Sequence, residues 1–212
     1  MQDLIIYGAG GLARETIVHL QMYPAIGYNV IGCVVDKDYF KPNTIVQKVP
    51  LLGTGDYLLS HKDVPCLCCI ADTKARRTIM EHYENEGVEF ATLIYPDVYI
   101  GDNITIGHGS LIKGECSFSV DITVGKGVFM NGHVAVGHDA VIGDYVTIFP
   151  KVSISGNCII GDNVTIGGAA YITPKRKIGA NATVAAGSVV FRNVAAGTTV
   201  LGNPARRRPE LE

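Results

Sequence analysis

Three histidines, His108, His133 and His138, lie in the second half of the chain, and only His138 is followed at once by a carboxylate, Asp139. A carboxylate beside an imidazole can fix its tautomer and stabilise the imidazolium, so His138-Asp139 is a candidate general base. His108 and His133 read as solvated corner residues. Near the N-terminus, Gly8-Ala9-Gly10-Gly11 follows a strand-like run and opens a helix-like one. Backbone N–H groups in such a turn can cradle a phosphate at the start of the helix. Asp36 closes the second strand-like run, where a carboxylate can reach a ribose hydroxyl. The residues therefore offer proton abstraction at one place and nucleotide binding at another.

The elements that must position them follow two rhythms. From Ile100 to Val190 every sixth residue is apolar, through Ile112, Phe118, Met130, Ile142, Ile148, Ile160 and Ile178. A period of six fits neither helix nor hairpin, but it is the signature of a parallel β-helix of short strands and tight corners. The glycine that often follows the apolar residue (Gly107, Gly125, Gly137, Gly143) reads as the one that permits the corner backbone. Three hexapeptides close one coil, so residues eighteen apart stack at the strand spacing of about 4.8 Å. Val120 and Gly156 then flank His138, and Gly156 leaves the space over the imidazole empty while offering its N–H.

Residues 1–93 alternate instead: strand Asp3–Tyr7, helix Leu12 to about Met22, strand Val30–Val35, a Pro/Gly-rich stretch 41–55, a short helix Asp56–Ser60, strand Val64–Ala71 and a charged helix from Thr73 to about Glu86. This predicts a small Rossmann-like parallel α/β sheet. Residues 1–93 form the predicted nucleotide-sugar-binding domain and residues 94–212 the β-helix domain. About 90 residues supply one βαβαβ half where a dinucleotide fold uses two. A mononucleotide, such as the uridine diphosphate of a sugar nucleotide, fits better than NAD.

Composition narrows the partners. The net charge of −2 gives no basic face before Arg206-Arg207-Arg208, so no nucleic acid is expected. No apolar run approaches the ~20 residues of a membrane span, and no leader pattern opens the chain. The expectation is a soluble, cytoplasmic protein. Six cysteines show no disulfide framework. Cys66, Cys68 and Cys69 sit in an apolar run, and Cys116 and Cys158 fall at core positions of their repeats, so none reads as a nucleophile or metal ligand.

The segment Asn131-Gly132-His133-Val134-Ala135-Val136-Gly137-His138-Asp139-Ala140-Val141-Ile142-Gly143-Asp144, with Thr147-Ile148-Phe149-Pro150, resembles the catalytic region of the hexapeptide-repeat sugar O-acyltransferase family. That group includes sialic acid O-acetyltransferases and bacterial UDP-4-amino-sugar N-acetyltransferases, and the chain is most similar to the latter. Tyr7-Gly8-Ala9-Gly10-Gly11, Leu93-Ile94-Tyr95-Pro96 and Gly202-Asn203-Pro204-Ala205-Arg206 resemble its N-terminal turn, β-helix opening and closing segment.

The resemblance implies a left-handed β-helix and a homotrimer with active sites between subunits. It implies acetyl-CoA as co-substrate, no metal, and a nucleotide-sugar acceptor, UDP-linked. It makes His138 the general base, Asp139 the residue that raises its basicity, and Gly156 an N–H donor to the thioester carbonyl. Thr147, Gly156, Gly168 and Ala186 occupy positions that line the acetyl-CoA groove, and Gly10, Gly11, Leu12, Asp36, Lys37 and Ala71 occupy acceptor-nucleotide positions. Gly156, Gly168 and Ala186 lack bulk and read as one groove along the helix axis for the pantetheine arm.

The chain departs from the family at Thr147, where relatives carry a second histidine, at Leu12, which replaces a common histidine, and at Ala71, which replaces a glycine. O-acetylation by the same mechanism is the alternative reading. A zinc enzyme similar to γ-class carbonic anhydrases is the rival, because His133 and His138 are five apart. It lacks a third histidine two coils below, where Asp97 stands.

Overall fold

The computed structural model describes residues 1–208. Residues 209–212, the end of the predicted second domain and including Leu211 and Glu212, lie outside the described residues. The chain divides into two compact units, Met1–Leu93 and a second from Ile94 onward.

In the first unit the strands β1 (Gln2–Tyr7), β2 (Tyr28–Val35), β3 (Ile45–Val46), β4 (Val49–Thr54) and β5 (Cys66–Cys68) form one sheet in the order β3-β4-β2-β1-β5. Every pairing is parallel except β3 with β4. Helices α1 (Gly11–Met22) and α2 (Thr73–Asn85) follow β1 and β5. Leu4, Ile5, Ile6, Cys33, Val34, Cys66 and Leu67 are fully buried, which is why these strands read as continuous apolar runs rather than alternating ones. The Pro/Gly-rich stretch 41–55 is not only a loop: it carries β3 and β4, and β4 completes the sheet beside β2. The run Val64–Ala71 yields only the three-residue strand β5; its C-terminal end is loop.

The second unit is a left-handed parallel β-helix, against the usual right-handed crossover. Two-residue strands such as Phe129–Met130, Ala135–Val136 and Val141–Ile142 pair in parallel with strands eighteen residues away, for example Met130 with Ile148 and Ile142 with Ile160. The inward residues from Ile112 to Val190 are all buried in one apolar cluster. The corners are more regular than the strands. Every sixth residue from Asn103 to Gly187 has a φ near +60°, and twelve of these fifteen are not glycine. Each is the third residue after its inward apolar side chain.

Two sequence expectations change here. The glycines that follow the inward residue do not provide the left-handed corner, since Gly107, Gly125, Gly137 and Gly143 have ordinary φ. They allow close approach: a Cβ on Gly125 would lie 2.7 Å from the Asp144 nitrogen of the next coil, and one on Gly137 would lie 2.6 Å from that of Gly156. Ile100, at the start of the period, is 44% exposed, because the continuous strand Tyr99–Ile106 opens the stack and has a coil on one side only.

No helix among the described residues is long and apolar enough to cross a membrane. The packing leads to a direct test. Ile148→Ala empties a fully buried axial position and is expected to cost about 2–5 kcal/mol. Ile100→Ala should cost less than about 1 kcal/mol. Chemical denaturation of the two variants measures the difference.

Candidate active site

The corner hydrogen bonds sort the β-helix into three edges. On one, His133, Lys151, Ala169 and Gly187 donate their N–H groups to the carbonyls of Gly114, Gly132, Pro150 and Gly168. On the second, Asp139, Asn157 and Lys175 donate to Val120, His138 and Gly156. On the third, Tyr145, Asn163 and Asn181 donate to Lys126, Asp144 and Asp162.

His138 and Asp139 are adjacent at one corner, and Asp139 adopts φ 56°, a conformation that aspartate tolerates better than most residues. This backbone turns the carboxylate towards its neighbour: Nδ1 of His138 lies 2.7 Å from Oδ2 of Asp139. An ionised carboxylate accepts only, so the Nδ1 proton is donated to it and the Nε2 lone pair is left open. Nε2 faces Gly156, where a Cβ would come within 2.6 Å of it. No acceptor among the described residues takes the Gly156 N–H. The pair is more than half exposed, so its aim rather than burial suits it to proton transfer.

His133 also has a carboxylate partner, Glu115 of the coil below, with Nδ1 to Oε2 2.6 Å. The eighteen-residue stacking rule contained this pair, because Glu115 stands eighteen before His133. Over His133, however, the next coil places Lys151 where His138 has Gly156. His133 and His138 lie on different edges, each held by its own carboxylate, so one chain does not direct them at a common point. No group of three or more His, Cys, Asp or Glu side chains spaced to hold a metal ion occurs among the described residues.

The residues expected to form one acetyl-CoA groove separate. Gly156 shares the edge of His138, whereas Gly168 and Ala186 stack over Pro150 on the edge of His133. The reason is arithmetic: Gly156 and Gly168 are twelve apart, two faces of the prism, and only multiples of eighteen stack. Thr147 lies in the strand Thr147–Ile148 and is buried.

All six cysteines are buried. Burial pushes the thiol of Cys116 up to about 11 and those of Cys33 and Cys68 up to about 12, and also raises Cys66 and Cys158. The thiolate is the reactive species, so none is poised as a nucleophile. In native protein at pH 8 a disulfide-exchange reagent should leave the thiols unmodified over minutes, and after denaturation in guanidinium it should titrate all six.

In the first unit a cavity of about 690 Å³ opens at the C-terminal ends of β1 and β2. Gly8, Ala9 and Gly10 line it beside Asp36, Asp38, Tyr39 and Lys41. Gly8 adopts φ 119°, and a Cβ there would press to 3.1 Å on the Cys69 carbonyl, so this turn requires glycine. Helix α1 starts at Gly11 with no side-chain cap and no acidic residue in its first turn. Its N–H groups and dipole thus suit an anion. By contrast, the first turn of α2 is capped by Asp72, which accepts from the Ala75 N–H at 2.8 Å.

Of the predicted acceptor residues, Gly10 and Asp36 line the cavity, whereas Gly11, Leu12, Lys37 and Ala71 are not among its lining residues. Asp38, Tyr39, Lys41 and Thr44 were not anticipated, because none belongs to a motif in the sequence. Arg76 was also missed. It is fully buried on α2 and donates from Nη1 to the carbonyls of Ile70 (2.7 Å) and Ala71 (3.0 Å), tying down the loop after β5.

A hexapeptide β-helix behind a small α/β unit is the architecture of a class of transferases, and comparison with known proteins narrows it. The PglD N-terminal domain family matches residues 3–83, and the bacterial transferase hexapeptide family matches residues 139–174 and 157–192. A search of curated protein sequences found no match. Among solved structures, WeeI from Acinetobacter baumannii is 31% identical, with a TM-score of 0.84 over 98% of this chain and 100% of that one. The acetyltransferase domain of PglB from Neisseria gonorrhoeae is 27% identical, with a TM-score of 0.86 over 98% and 100%, and has also been solved with acetyl coenzyme A. Perosamine N-acetyltransferase from Caulobacter crescentus, solved with CoA and GDP-perosamine, shares the fold at 23% identity, with a TM-score of 0.89 over 99% and 98%. The chain belongs to the hexapeptide-repeat sugar acetyltransferase family and is an enzyme of that family.

The corner geometry makes one substitution diagnostic. Gly156→Ala adds a single methyl group against the His138 ring and should lower turnover by about 10²-fold, the size of effect that follows a displacement of about 1 Å. A small change in melting temperature alongside that loss would place the effect at the site.

Proposed function

We propose that the protein transfers the acetyl group of acetyl-CoA to the amine of a nucleotide-linked amino sugar, with a UDP-4-amino sugar as acceptor. One observation carries the chemistry: Nδ1 of His138 is held by Asp139 while Nε2 is open beside Gly156. The family's members support the substrate class. The PglB domain binds acetyl coenzyme A, and the perosamine enzyme is an N-acetyltransferase that binds a nucleotide-linked sugar.

In this reading the Nε2 lone pair takes a proton from the acceptor amine as its nitrogen attacks the thioester carbonyl carbon. The Gly156 N–H donates to the oxyanion of the tetrahedral intermediate. Collapse breaks the C–S bond, and the CoA sulfur recovers the proton from the imidazolium, which returns His138 to its starting state. The cavity of the first unit takes the nucleotide, with phosphate on the α1 N-terminus and Asp36 on the ribose.

The separation of Gly156 from Gly168 and Ala186 supports a homotrimer. A single acetyl-CoA lined by all three needs the His138 edge of one chain beside the His133 edge of the next. Val141 and Ile159 stand 44% and 43% exposed on one face, apolar surface that a second copy could cover.

His138→Ala should lose about 10²–10⁴-fold in turnover with both substrates still bound. Asp139→Asn should lose less, and His133→Ala little. Thiol release from acetyl-CoA, followed with UDP- and GDP-linked 4-amino sugars and with a sialic-acid acceptor, measures this and chooses the acceptor. Transfer confined to hydroxyl acceptors would replace N- by O-acetylation, and equal losses at His133 and His138 with loss of bound metal would favour the zinc reading. Light scattering at micromolar concentration should give a trimer mass; a monomer would remove the shared site.

A further inference from the structure

Tyr7 is the last residue of β1, almost fully buried, and its side chain lines the cavity of the first unit. Its hydroxyl donates to Oδ1 of Asp36, on the neighbouring strand's end, across only 2.5 Å. Asp36 follows β2 directly and, unlike Tyr7, is exposed. Left to itself, an exposed carboxylate at a strand end samples several rotamers, and a ligand must order it on binding. Here a rigid buried phenol, which has already lost its freedom on folding, holds one carboxylate oxygen and leaves Oδ2 for a ligand donor.

The phenol is itself held. Tyr83 of α2 packs against it, with the two ring centroids 5.9 Å apart. Each hydroxyl has one proton. Tyr7 gives its own to Asp36. Gly55 makes room for the two rings: a Cβ there would overlap the Tyr83 hydroxyl and touch the Tyr7 ring at 3.0 Å. Burial and the Asp36 carboxylate both raise the Tyr7 phenol far above its usual range, so it remains a donor throughout the working pH.

We infer that Tyr7 is a positioning residue that orders the Asp36 carboxylate for the ribose hydroxyls of the acceptor nucleotide. The inference rests on the nucleotide-sugar reading above, and its test separates the two. Calorimetry with UDP, 2′-deoxy-UDP and 3′-deoxy-UDP, repeated with the guanosine set, reads how strongly the protein senses each hydroxyl. A hydrogen bond to a charged group corresponds to roughly 10- to 100-fold in affinity. Wild type should therefore bind one deoxy analogue at least about 10-fold more weakly than its ribonucleotide.

Tyr7→Phe should weaken the ribonucleotide towards the deoxy value and leave deoxy binding unchanged, so that discrimination collapses. The KM for acetyl-CoA and kcat should not move. Asp36→Asn should abolish discrimination by itself, and adding Tyr7→Phe should then cost nothing further. Equal weakening of ribo and deoxy ligands by Tyr7→Phe would mean a merely structural role and overturn the inference, as would unchanged discrimination. Should Tyr7→Phe fold poorly, Asp36→Glu keeps the charge but shifts the carboxylate off the Tyr7 hydroxyl and should lower discrimination in the same sense; unchanged discrimination there would overturn the inference. If wild type bound none of these nucleotides at millimolar concentration, the nucleotide reading itself would fall and the inference with it.

Discussion

Each left-handed corner residue donates its N–H to a carbonyl nineteen residues back, over 2.8–3.2 Å, from Gly127 to Gly187. This repeated bond sets the rise between coils, and the rest of the second unit depends on it. Non-glycine residues in the left-handed region cost about 1–2 kcal/mol each, less for asparagine and aspartate. Six of the twelve are Asn or Asp, and the remainder include His133, Tyr145 and Lys151. The opposing gain is the continuous apolar axis beneath them. Once the corners stack, glycines must stand where coil backbones touch, and the His138 ring has one place to go, over Gly156.

The β-helix was legible in the sequence because its constraint is local and repeats: one inward apolar residue in six, from Ile112 onward, is enough to define it. What the pattern hid was which interaction each glycine serves. Gly125 and Gly137 look like corner residues in one dimension and are contact residues in three. The pairing of His138 with Asp139 was visible as adjacency, but only the positive φ of Asp139 brings the carboxylate round. Glu115 beside His133 was recoverable by counting, whereas the assignment of Gly168 and Ala186 to another edge contradicts a grouping made by size alone.

The first unit was less legible, for a different physical reason. Its alternation of strand and helix is clear, and Gly8–Gly11 announces the turn. Strands β3 and β4 were hidden because Pro50 and Gly53 are turn residues by type, and partners on β2 override that preference. Arg76 reads as one more charge on a polar helix, although it is fully buried and holds the carbonyls of Ile70 and Ala71. Tyr7 reads as one more apolar strand residue. Neither role has any mark in composition or spacing, since each depends on a partner brought near by the sheet.

The closure of one turn in eighteen residues also constrains how such a chain can change length. Removing eighteen residues above His138 deletes one full storey and returns every later residue to its own edge. Removing six rotates everything beyond the cut by a third of a turn while leaving the inward apolar phase intact. Such a variant would keep its core and lose its register, with Gly156 on a different edge from His138. Folding tolerates steps of six, but the alignment of residues along one edge tolerates only steps of eighteen, so the array is quantised more coarsely for its corners than for its core.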